Sequence, residues 1–275
     1  MATDSASNTT GKKSINRKLI VVMPDEMVEA TRKAERDAAA SNSSIDWRSV
    51  GRFFAPGAMA IVDVSTDAYK AWAQARQHGL NITQLGYKEA DKLTFPPGHP
   101  RENVLYIAHP TNYNVYYTMA SFHRMAFEHK FAEAIDLLMH LGATEVKVEH
   151  VRGWSREFAS KISSVASGVN LDASAGTTKQ DNASLLFEAN FSGSNVPALP
   201  EELTWFHHEP TWQSVSKGRI SFGMTQFSLT VNYEDDFGVN AGMKVAAQGA
   251  GLELGGNFQT HEATTWKLHG KFSNK

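Results

Sequence analysis

The sequence predicts an α+β fold. A C-terminal antiparallel sheet is built from two related strand–helix–strand–strand units with helices on one face, and an N-terminal α/β layer lies beside it. The first observation is a repeat: a shift of 81 positions (225 − 144) places residues 225–272 under residues 144–191 without a gap, with the same order of predicted elements. The second is that the preceding part of the chain alternates short apolar runs with helical periodicity. An ungapped match at long period indicates two copies of one supersecondary unit.

Three regions follow from this pattern. Residues 1–16 are rich in Ser, Thr and Asn and are predicted to be a disordered tail. Residues 17–143 form the N-terminal α/β layer and end in a long helix, and residues 144–275 form the duplicated sheet region. We expect one continuous domain, since 275 residues can share a single large core. The predicted core includes Phe127, Phe131, Leu138, Val146, Val148, Phe187, Phe191, Phe227, Leu229, Trp266 and Phe272.

The elements of the N-terminal layer are predicted from apolar runs and helix-boundary residues. A strand over 19–23 precedes Pro24, and a proline followed by acidic residues is typical of a helix start. The long helix is predicted over 116–141 because large apolar side chains recur at spacings of three and four, and Gly142 ends it. The other predicted elements are a helix over 25–40, a strand over 59–64, a helix over 68–78, a short helix over 83–93 and a strand over 104–108.

Each copy of the duplicated region begins with a strand in which apolar and polar side chains alternate. Val146 and Val148 of the first copy meet Phe227 and Leu229 of the second. Alternation of this kind predicts strands with one wet face. The remaining predicted elements are a helix over 156–168, a hairpin of strands 169–175 and 183–191, a short helix over 209–217, a helical segment over 238–251 and a closing hairpin of strands 252–258 and 264–272.

Composition excludes several classes of protein. The formal net charge is −2, and nucleic-acid binding requires a dense basic face, so no nucleic-acid partner is expected. There is no cysteine, which excludes disulfides, thiolate metal sites and a cysteine nucleophile. No apolar run reaches the length of about 18 residues that a spanning helix needs. We therefore expect a cytoplasmic protein without cofactor or bound metal, which binds a membrane peripherally on activation.

Small residues dominate the segments that follow the first strand of each copy, residues 152–171 and 234–253. Each is long enough for a transmembrane β-hairpin, which needs about 9–11 residues per strand. In architecture only, this arrangement is similar to soluble β-pore-forming proteins such as the perforin-like proteins and the gasdermins, whose helical clusters unfold into hairpins. No motif of either family is present, so no residue role is carried over. The residues predicted to contact a membrane or a partner are Phe158, Ile162, Val165, Met243 and Val245. Alternatively, both segments are ordinary amphipathic helices that cover one face of the sheet.

A second candidate surface combines aromatic and polar residues over a short stretch. Trp205, His207, His208 and Trp212 lie close together in the sequence, and Trp is favoured at the anchors of binding sites. This stretch is a candidate hot spot for a ligand or a partner. The alternative is core packing by the tryptophans and helix capping by Glu209.

Three histidines offer a different chemistry. His99 and His109 each precede a proline, and His123 falls on the apolar face of the long helix. Imidazole suits both proton transfer and metal ligation, so these three residues are the candidates for a catalytic site. The alternative is structural, with each ring packed in a turn or in the core.

No catalytic motif stands out, and these patterns favour a non-enzymatic intracellular interaction protein that acts through a protein partner or a membrane surface. A defence- or toxin-type effector suits the pattern, and a homo-oligomer is compatible with it. The alternative function is a small-molecule or metal-dependent hydrolase that uses His99, His109 and His123.

Overall fold

A computed structural model of the protein describes residues 18–41, 69–154 and 185–274. Within these residues the chain forms two four-stranded sheets together with several helices. The α+β class and the C-terminal antiparallel sheet with its helices are therefore confirmed. The predicted tail over residues 1–16 lies outside the described residues.

Four strands form the N-terminal sheet: β1 (Leu19–Met23), β2 (Ile82–Gly86), β3 (Leu105–Ala108) and β4 (Tyr116–Thr118). Their order is β2-β1-β3-β4, with β1 and β2 parallel and the other neighbours antiparallel. Every residue of β1 is buried, because the strand lies inside the sheet with both faces covered. A strand covered on both faces has a continuous apolar sequence, and the sequence LIVVM of β1 fits this rule.

Helices flank this sheet: α1 (Asp25–Ser41), α2 (residues 69–77), α3 (Tyr87–Ala90) and α4 (Phe122–His140). Arg32 on α1 forms an ion pair with Glu89 on α3 at 2.8 Å. The indole Nε1 of Trp72 on α2 donates a hydrogen bond to the carbonyl oxygen of Ile82 at 3.0 Å. These contacts hold the peripheral helices against the β2 side of the sheet.

Two helix predictions in this half are corrected by the structure. Residues 82–86, which include the start of the short helix expected over 83–93, form β2 because they pair in parallel with β1. The long helix expected from residue 116 begins at Phe122, because residues 116–118 pair with β3 as strand β4. In both places pairing with a strand distant in the chain overrides the local pattern.

The C-terminal sheet is antiparallel, and its strands are β5 (Ala143–Arg152), β6 (Leu185–Asn190), β7 (Gln226–Tyr233) and β8 (Thr264–Phe272). Their order is β6-β5-β8-β7, and α5 (Pro210–Phe222) and α6 (Ala241–Gly249) belong to the same half. One face is apolar and packs against α4, where the rings of Phe127 and Trp266 lie 4.8 Å apart between centroids. The opposite face is polar, and Lys147 forms ion pairs there with Glu145 and Glu188.

The two copies of the repeat form equivalent hairpins. Val148 on β5 pairs with Phe187 on β6, and Leu229 on β7 pairs with Leu268 on β8, so both partners are displaced by 81 positions (229 − 148 and 268 − 187). The same displacement relates the pairs 145–190, 146–189 and 147–188 to the pairs 226–271, 227–270 and 228–269. The copies are therefore related by a shift of two strands along one sheet. They differ at the bulge that follows Val148 in the first hairpin.

The closing hairpin is corrected as well, because residues 252–258 do not pair with β8. Glu253 instead makes an isolated parallel bridge to Val104, just before β3 in the N-terminal half. Leu252 and Leu254 are buried in the main core. The apolar alternation of this segment thus faces the N-terminal half, since β8 is already paired on both sides by β5 and β7.

A single apolar core takes side chains from both sheets and from α4, and a smaller cluster lies on the other face of the N-terminal sheet. The predicted core residues that are buried are Phe127, Phe131, Leu138, Val146, Val148, Phe227, Leu229, Trp266 and Phe272. Phe191 is partly buried against the same core. The side chain of Phe187 lies outside the described residues.

Candidate functional site

Two insertions leave the C-terminal sheet at the same end. The first runs from residue 153 to residue 184, between β5 and β6, and the second from residue 234 to residue 263, between β7 and β8. Because β5 and β7 both pair antiparallel with β8, they run in the same direction and end at the same edge. Arg152, the last residue of β5, forms an ion pair there with Glu234, the first residue after β7. The two insertions therefore begin side by side.

The first residues of the first insertion are held against β8. Gly153 has φ of +82°, and a Cβ at this position would overlap Thr264 and the backbone oxygen of Ala263, so glycine is required. The backbone N–H of Trp154 donates to Oγ1 of Thr264 at 3.2 Å. The indole of Trp154 stacks on Tyr233 with 5.8 Å between ring centroids and 28° between planes. The ends of β5 and β7 are thus joined to each other by an aromatic contact as well as by an ion pair.

The second insertion begins with a turn whose backbone N–H groups donate to its own carboxylates. Oδ1 of Asp235 accepts from the backbone N–H of Phe237 at 2.7 Å, and Oδ1 of Asp236 accepts from that of Gly238 at 2.8 Å. The Gly238 amide first, and the side chain of Asn240 next, lower the pKa of Asp236. The acidic side chains therefore shape the turn from β7 towards α6.

Helix α6 presents an apolar side chain to solvent. The side chain of Asn240 caps its start by accepting from the backbone N–H groups of Gly242 and Met243 at 3.0 Å and 3.2 Å. Met243 is half-buried and packs against the main core, whereas Val245 is 69% exposed. Val245 is therefore the accessible one of the two contact residues predicted in this helix. The other predicted contact residues, Phe158, Ile162 and Val165, lie outside the described residues.

The later part of the second insertion is bound to the N-terminal half through its backbone. The N–H of Leu105 donates to the carbonyl oxygen of Glu253, and the N–H of Glu253 donates to that of Asn103, each at 2.9 Å. The N–H of Ala120 donates to the carbonyl oxygen of Leu254 at 2.8 Å. These bonds dock the second insertion against the strand and turn that precede α4.

His123 on α4 holds the same insertion through its side chain. Its Nε2–H donates to the carbonyl oxygen of Val239 at 2.6 Å, so its Nδ1 accepts from the hydroxyl of Tyr233 at 3.0 Å. The ring of His261 lies 5.2 Å from it between centroids. Burial lowers the pKa of His123, so the ring is neutral.

A second histidine pair lies where α4 meets the turn after β3. The backbone N–H groups of Thr111 and Asn112 donate to Nδ1 of His109, so Nε2 carries the hydrogen and donates to Nδ1 of His129 at 2.9 Å. The indole of Trp205 donates to the same nitrogen of His129 at 3.2 Å. Burial lowers the pKa of His109 to about 3 and also lowers that of His129. This relay fixes two neutral rings and is a packing arrangement.

The structure places the predicted hot-spot residues in two different environments. Trp205 and Trp212 are buried, and the indole of Trp212 donates to the carbonyl oxygen of Thr230 at 3.1 Å. His207 and His208 are exposed. The tryptophans therefore hold the fold together, and a binding surface in this stretch would have to rest on the two histidines.

The three candidate catalytic histidines have separate neighbours. Nδ1 of His99 lies 2.7 Å from the hydroxyl of Tyr106, which belongs to the smaller core cluster on the far face of the N-terminal sheet. Within the described residues, no hydrogen bond or ring contact joins any two of His99, His109 and His123. The same residues contain no group of three or more His, Asp or Glu placed to hold a metal ion. The hydrolase alternative stays a prediction.

Sequence analysis did not identify Tyr233, Val239 and His261 as neighbours of His123, or His129 as the partner of a second buried histidine. One signal was present for Tyr233. The alternating strand pattern assigns it to the apolar face, and a buried tyrosine hydroxyl needs a partner. No comparable signal marked His261, which lies in irregular structure.

Within the described residues, no helix combines the length and the apolar character needed to cross a membrane. Comparison with protein-family models, with curated proteins and with solved structures found no match to this chain. The function therefore has to be inferred from the geometry of the two insertions and of the contacts that hold them.

Proposed function

We propose that the protein is a non-enzymatic interaction protein that acts on a membrane surface or on a protein partner through its two insertions. The ion pair between Arg152 and Glu234 carries this proposal, because it brings the starts of both insertions together at one end of the sheet. Two segments that leave a rigid sheet side by side can engage one target at once, which strengthens binding beyond that of either segment.

The strand pairing of the sheet does not involve the second insertion, and this supports the proposed function. β7 and β8 pair along their whole length, from Gln226 with Lys271 to Tyr233 with Thr264. Movement of the insertion would therefore leave the hydrogen bonds of the hairpin that carries it intact. It also carries the exposed side chain of Val245, which is available to an apolar target.

The biological role that suits this architecture is a defence- or toxin-type effector, held in the cytoplasm and recruited to a membrane on activation. Self-association at the membrane is compatible with it, since the two insertions of one molecule start at the same end of its sheet. Of the two targets, the membrane surface is the one we favour, because an exposed aliphatic side chain on a short helix rich in small residues suits insertion between lipid headgroups.

Vesicle binding tests this function directly. Purified protein is mixed with dye-loaded vesicles of phosphatidylcholine and phosphatidylserine, and flotation and dye release are measured. We expect the wild-type protein to float with the vesicles and Val245→Asp to lose most of that binding, because the substitution removes an apolar side chain that would be buried at the acyl boundary and adds a charge that anionic lipid repels. The matched control is Val196→Asp, since Val196 is 79% exposed in the loop beside Ser194, at the opposite end of the sheet.

Equal flotation of both variants would overturn the role of the second insertion. A folded wild-type protein that neither floats nor releases dye would exclude the membrane surface as the target. A photoreactive residue at position 245 then tests for a protein partner by crosslinking. If the same crosslink forms from a photoreactive residue at position 196, the contact at position 245 is not a specific site.

A further inference from the structure

His123 and His261 lie together where the second insertion rests on α4. The buried ring of His123 donates from Nε2 to the carbonyl oxygen of Val239 at 2.6 Å and accepts at Nδ1 from the hydroxyl of Tyr233 at 3.0 Å. The bond to Val239 needs a hydrogen on Nε2, and the bond from Tyr233 in this direction needs a neutral ring with a free Nδ1. The bond to Val239 is a side-chain hydrogen bond between α4 and the insertion, so a positive charge on His123 would be buried inside this docking contact.

The ring of His261 belongs to the insertion and contacts the same two residues. Its centroid lies 5.2 Å from that of His123 and 5.5 Å from that of Tyr233. Nε2 of His261 is buried and makes no hydrogen bond within the described part of the chain. A charge on His123 would therefore lie against a second ring rather than in water, and burying a charge is costly.

The surrounding charges do not outweigh the effect of burial on His123. The titratable groups that face the pair are Tyr233 on β7, Asp235 and Asp236 in the turn after it, Tyr117 on β4 and Lys18 before β1. The carboxylate of Asp236 accepts from Gly238 and Asn240 and attracts a charge on His123, but burial is the larger effect and lowers the pKa of His123. Burial raises the pKa of Tyr117 and Tyr233, so both phenols are neutral and add no negative charge.

We propose that protonation of His123, in its contact with His261, weakens the docking of the second insertion on the N-terminal half, so that acid frees this segment. A hydrogen on Nδ1 of His123 would force the Tyr233 hydroxyl to turn its own hydrogen away from the acceptor that it has within the described residues. The positive charge of His123 would also be buried in this contact, which disfavours the docked arrangement. The inference rests on the proposed function only for its consequence, namely that the freed segment is the one that reaches the target.

Backbone hydrogen bonds across the docking interface report on this release. The N–H of Glu253 donates to the carbonyl oxygen of Asn103 at 2.9 Å, and that of Gln259 donates to the carbonyl oxygen of Ala120 at 3.1 Å. Both bonds break when the insertion lifts. Hydrogen exchange is measured on the full chain at pH 7.5 and pH 5.5 and corrected for the intrinsic rate. We expect these two amides to exchange about tenfold faster at the lower pH, while amides of β5 and β8 stay protected. A pH of 5.5 is about one unit below the ordinary imidazole pKa of 6.5, so one ring that binds a proton only in the free segment shifts the docking equilibrium about tenfold.

Variants separate the histidines from a general effect of acid. The double variant His123→Gln with His261→Asn carries no titratable ring at this place, and we expect its exchange at Glu253 and Gln259 to be independent of pH. The matched control is His208→Gln, because His208 is exposed, and this variant should keep the tenfold response. A wild-type protein whose corrected exchange does not change with pH, or a double variant that responds as the wild type does, would overturn the proposal.

A disulfide that locks the second insertion in its docked position tests the same proposal, because it should abolish the response to acid. Val104→Cys with Glu253→Cys joins two residues that already face each other in an isolated β-bridge of the backbone, and the chain contains no other cysteine to compete. In the oxidised form, exchange at Gln259 should stay slow at both pH values, and reduction should restore the acid response. These measurements need no vesicles, so an acid response without vesicle binding would refute the proposed function alone. Vesicle binding that does not depend on pH, together with exchange that does not, would refute this inference alone.

Discussion

Val148 and Leu229 occupy equivalent positions in one sheet, 81 residues apart. Val148 pairs with Phe187 and Leu229 pairs with Leu268, so the displacement of 81 positions is shared by each residue and its partner. Their strands run in the same direction because a single antiparallel strand, β8, lies between them. That arrangement brings both insertions to one end of the sheet, and the function proposed here depends on it.

The repeat also explains why one position had to diverge. Ala189 of the first copy corresponds to Gly270 of the second. β6 is an edge strand, whereas β8 has neighbours on both sides, and a Cβ at position 270 would overlap the backbone oxygen of Glu145 on β5. We expect Gly270→Ala to lower the free energy of unfolding by about 3 kcal/mol or more, since backbone in a central strand cannot move aside as a flexible side chain can. Urea unfolding at neutral pH measures this loss.

The matched control for that substitution is Gly249→Ala. Gly249 is the last residue of α6, and an added Cβ there meets nothing within 4 Å. Alanine favours the helical backbone over glycine by up to about 1 kcal/mol, so this variant should be at least as stable as the wild type. Equal stability of the two variants would contradict the close approach of β5 and β8 at position 270.

The parts of the fold that sequence patterns predicted are those with a local signal. Strand alternation around Val148 and Leu229 has a period of two residues and is readable without knowing the partner strand. The end of α4 was also readable, because Gly142 follows the last apolar residue and adopts φ of +84° in the structure. These features belong to single elements, so a single sequence contains what is needed to find them.

The predictions that the structure corrected concern residues whose partners lie far away in the chain. Residues 82–86 have no strong local preference and become a strand only because β1 lies beside them. Residues 252–258 have the alternation of a strand, but their partner is Val104 rather than β8. In the same way, His123 was a candidate from its place on the helix, whereas His261 was not found because irregular structure brings it there.

Lys130 on α4 should be far more important for stability than the lysines on the open face of the sheet. Its side chain is buried, donates to the carbonyl oxygen of Asn232 at 2.6 Å and forms an ion pair with Glu209. Lys130→Met leaves that carboxylate and that carbonyl group unpaired, and we expect a loss of about 3 kcal/mol in urea unfolding. Lys147→Met removes an exposed lysine that pairs with two glutamates, and it should unfold close to the wild-type midpoint. Similar losses in both variants would show that the burial of Lys130 has no energetic consequence.

Glu133 on α4 fixes the turn that contains Trp205. Its carboxylate accepts from the backbone N–H groups of Thr204, Trp205 and Phe206 at 2.8 to 2.9 Å. In Glu133→Gln the charge is lost and the amide NH2 group faces donors, so we expect a loss of about 2 kcal/mol, the value typical of hydrogen bonds to a charged group. Glu188→Gln on the exposed face is the control, and its unfolding midpoint should stay close to that of the wild type. A larger effect at position 188 would contradict this assignment.

The stability of the protein should decrease in mild acid because of His109. The ring is fully buried, and burial first, with His129 second, lowers its pKa from 6.5 to about 3 in the folded state. Above pH 6.5 neither the folded nor the unfolded chain binds a proton at this ring, so its contribution to stability is fully present. As the pH falls below 6.5 the unfolded chain binds a proton that the folded chain does not, and the free energy of unfolding decreases by up to about 1.4 kcal/mol per pH unit for this histidine.

His109→Gln tests that assignment in a range where few carboxylates titrate. Urea unfolding at pH 7.5, 6.5, 5.5 and 5.0 gives the slope of stability against pH, to which His123 and His129 also contribute because their pKa values are lowered in the same direction. The variant will be less stable at neutral pH, since the N–H groups that bond to Nδ1 lose their acceptor, but its slope below pH 6.5 should be smaller by about one proton per molecule. His140→Gln, which changes an exposed ring, should leave the slope unchanged. An unchanged slope in His109→Gln would mean that the folded protein protonates this ring as readily as the unfolded chain does, and that would contradict the acceptor role assigned to its Nδ1.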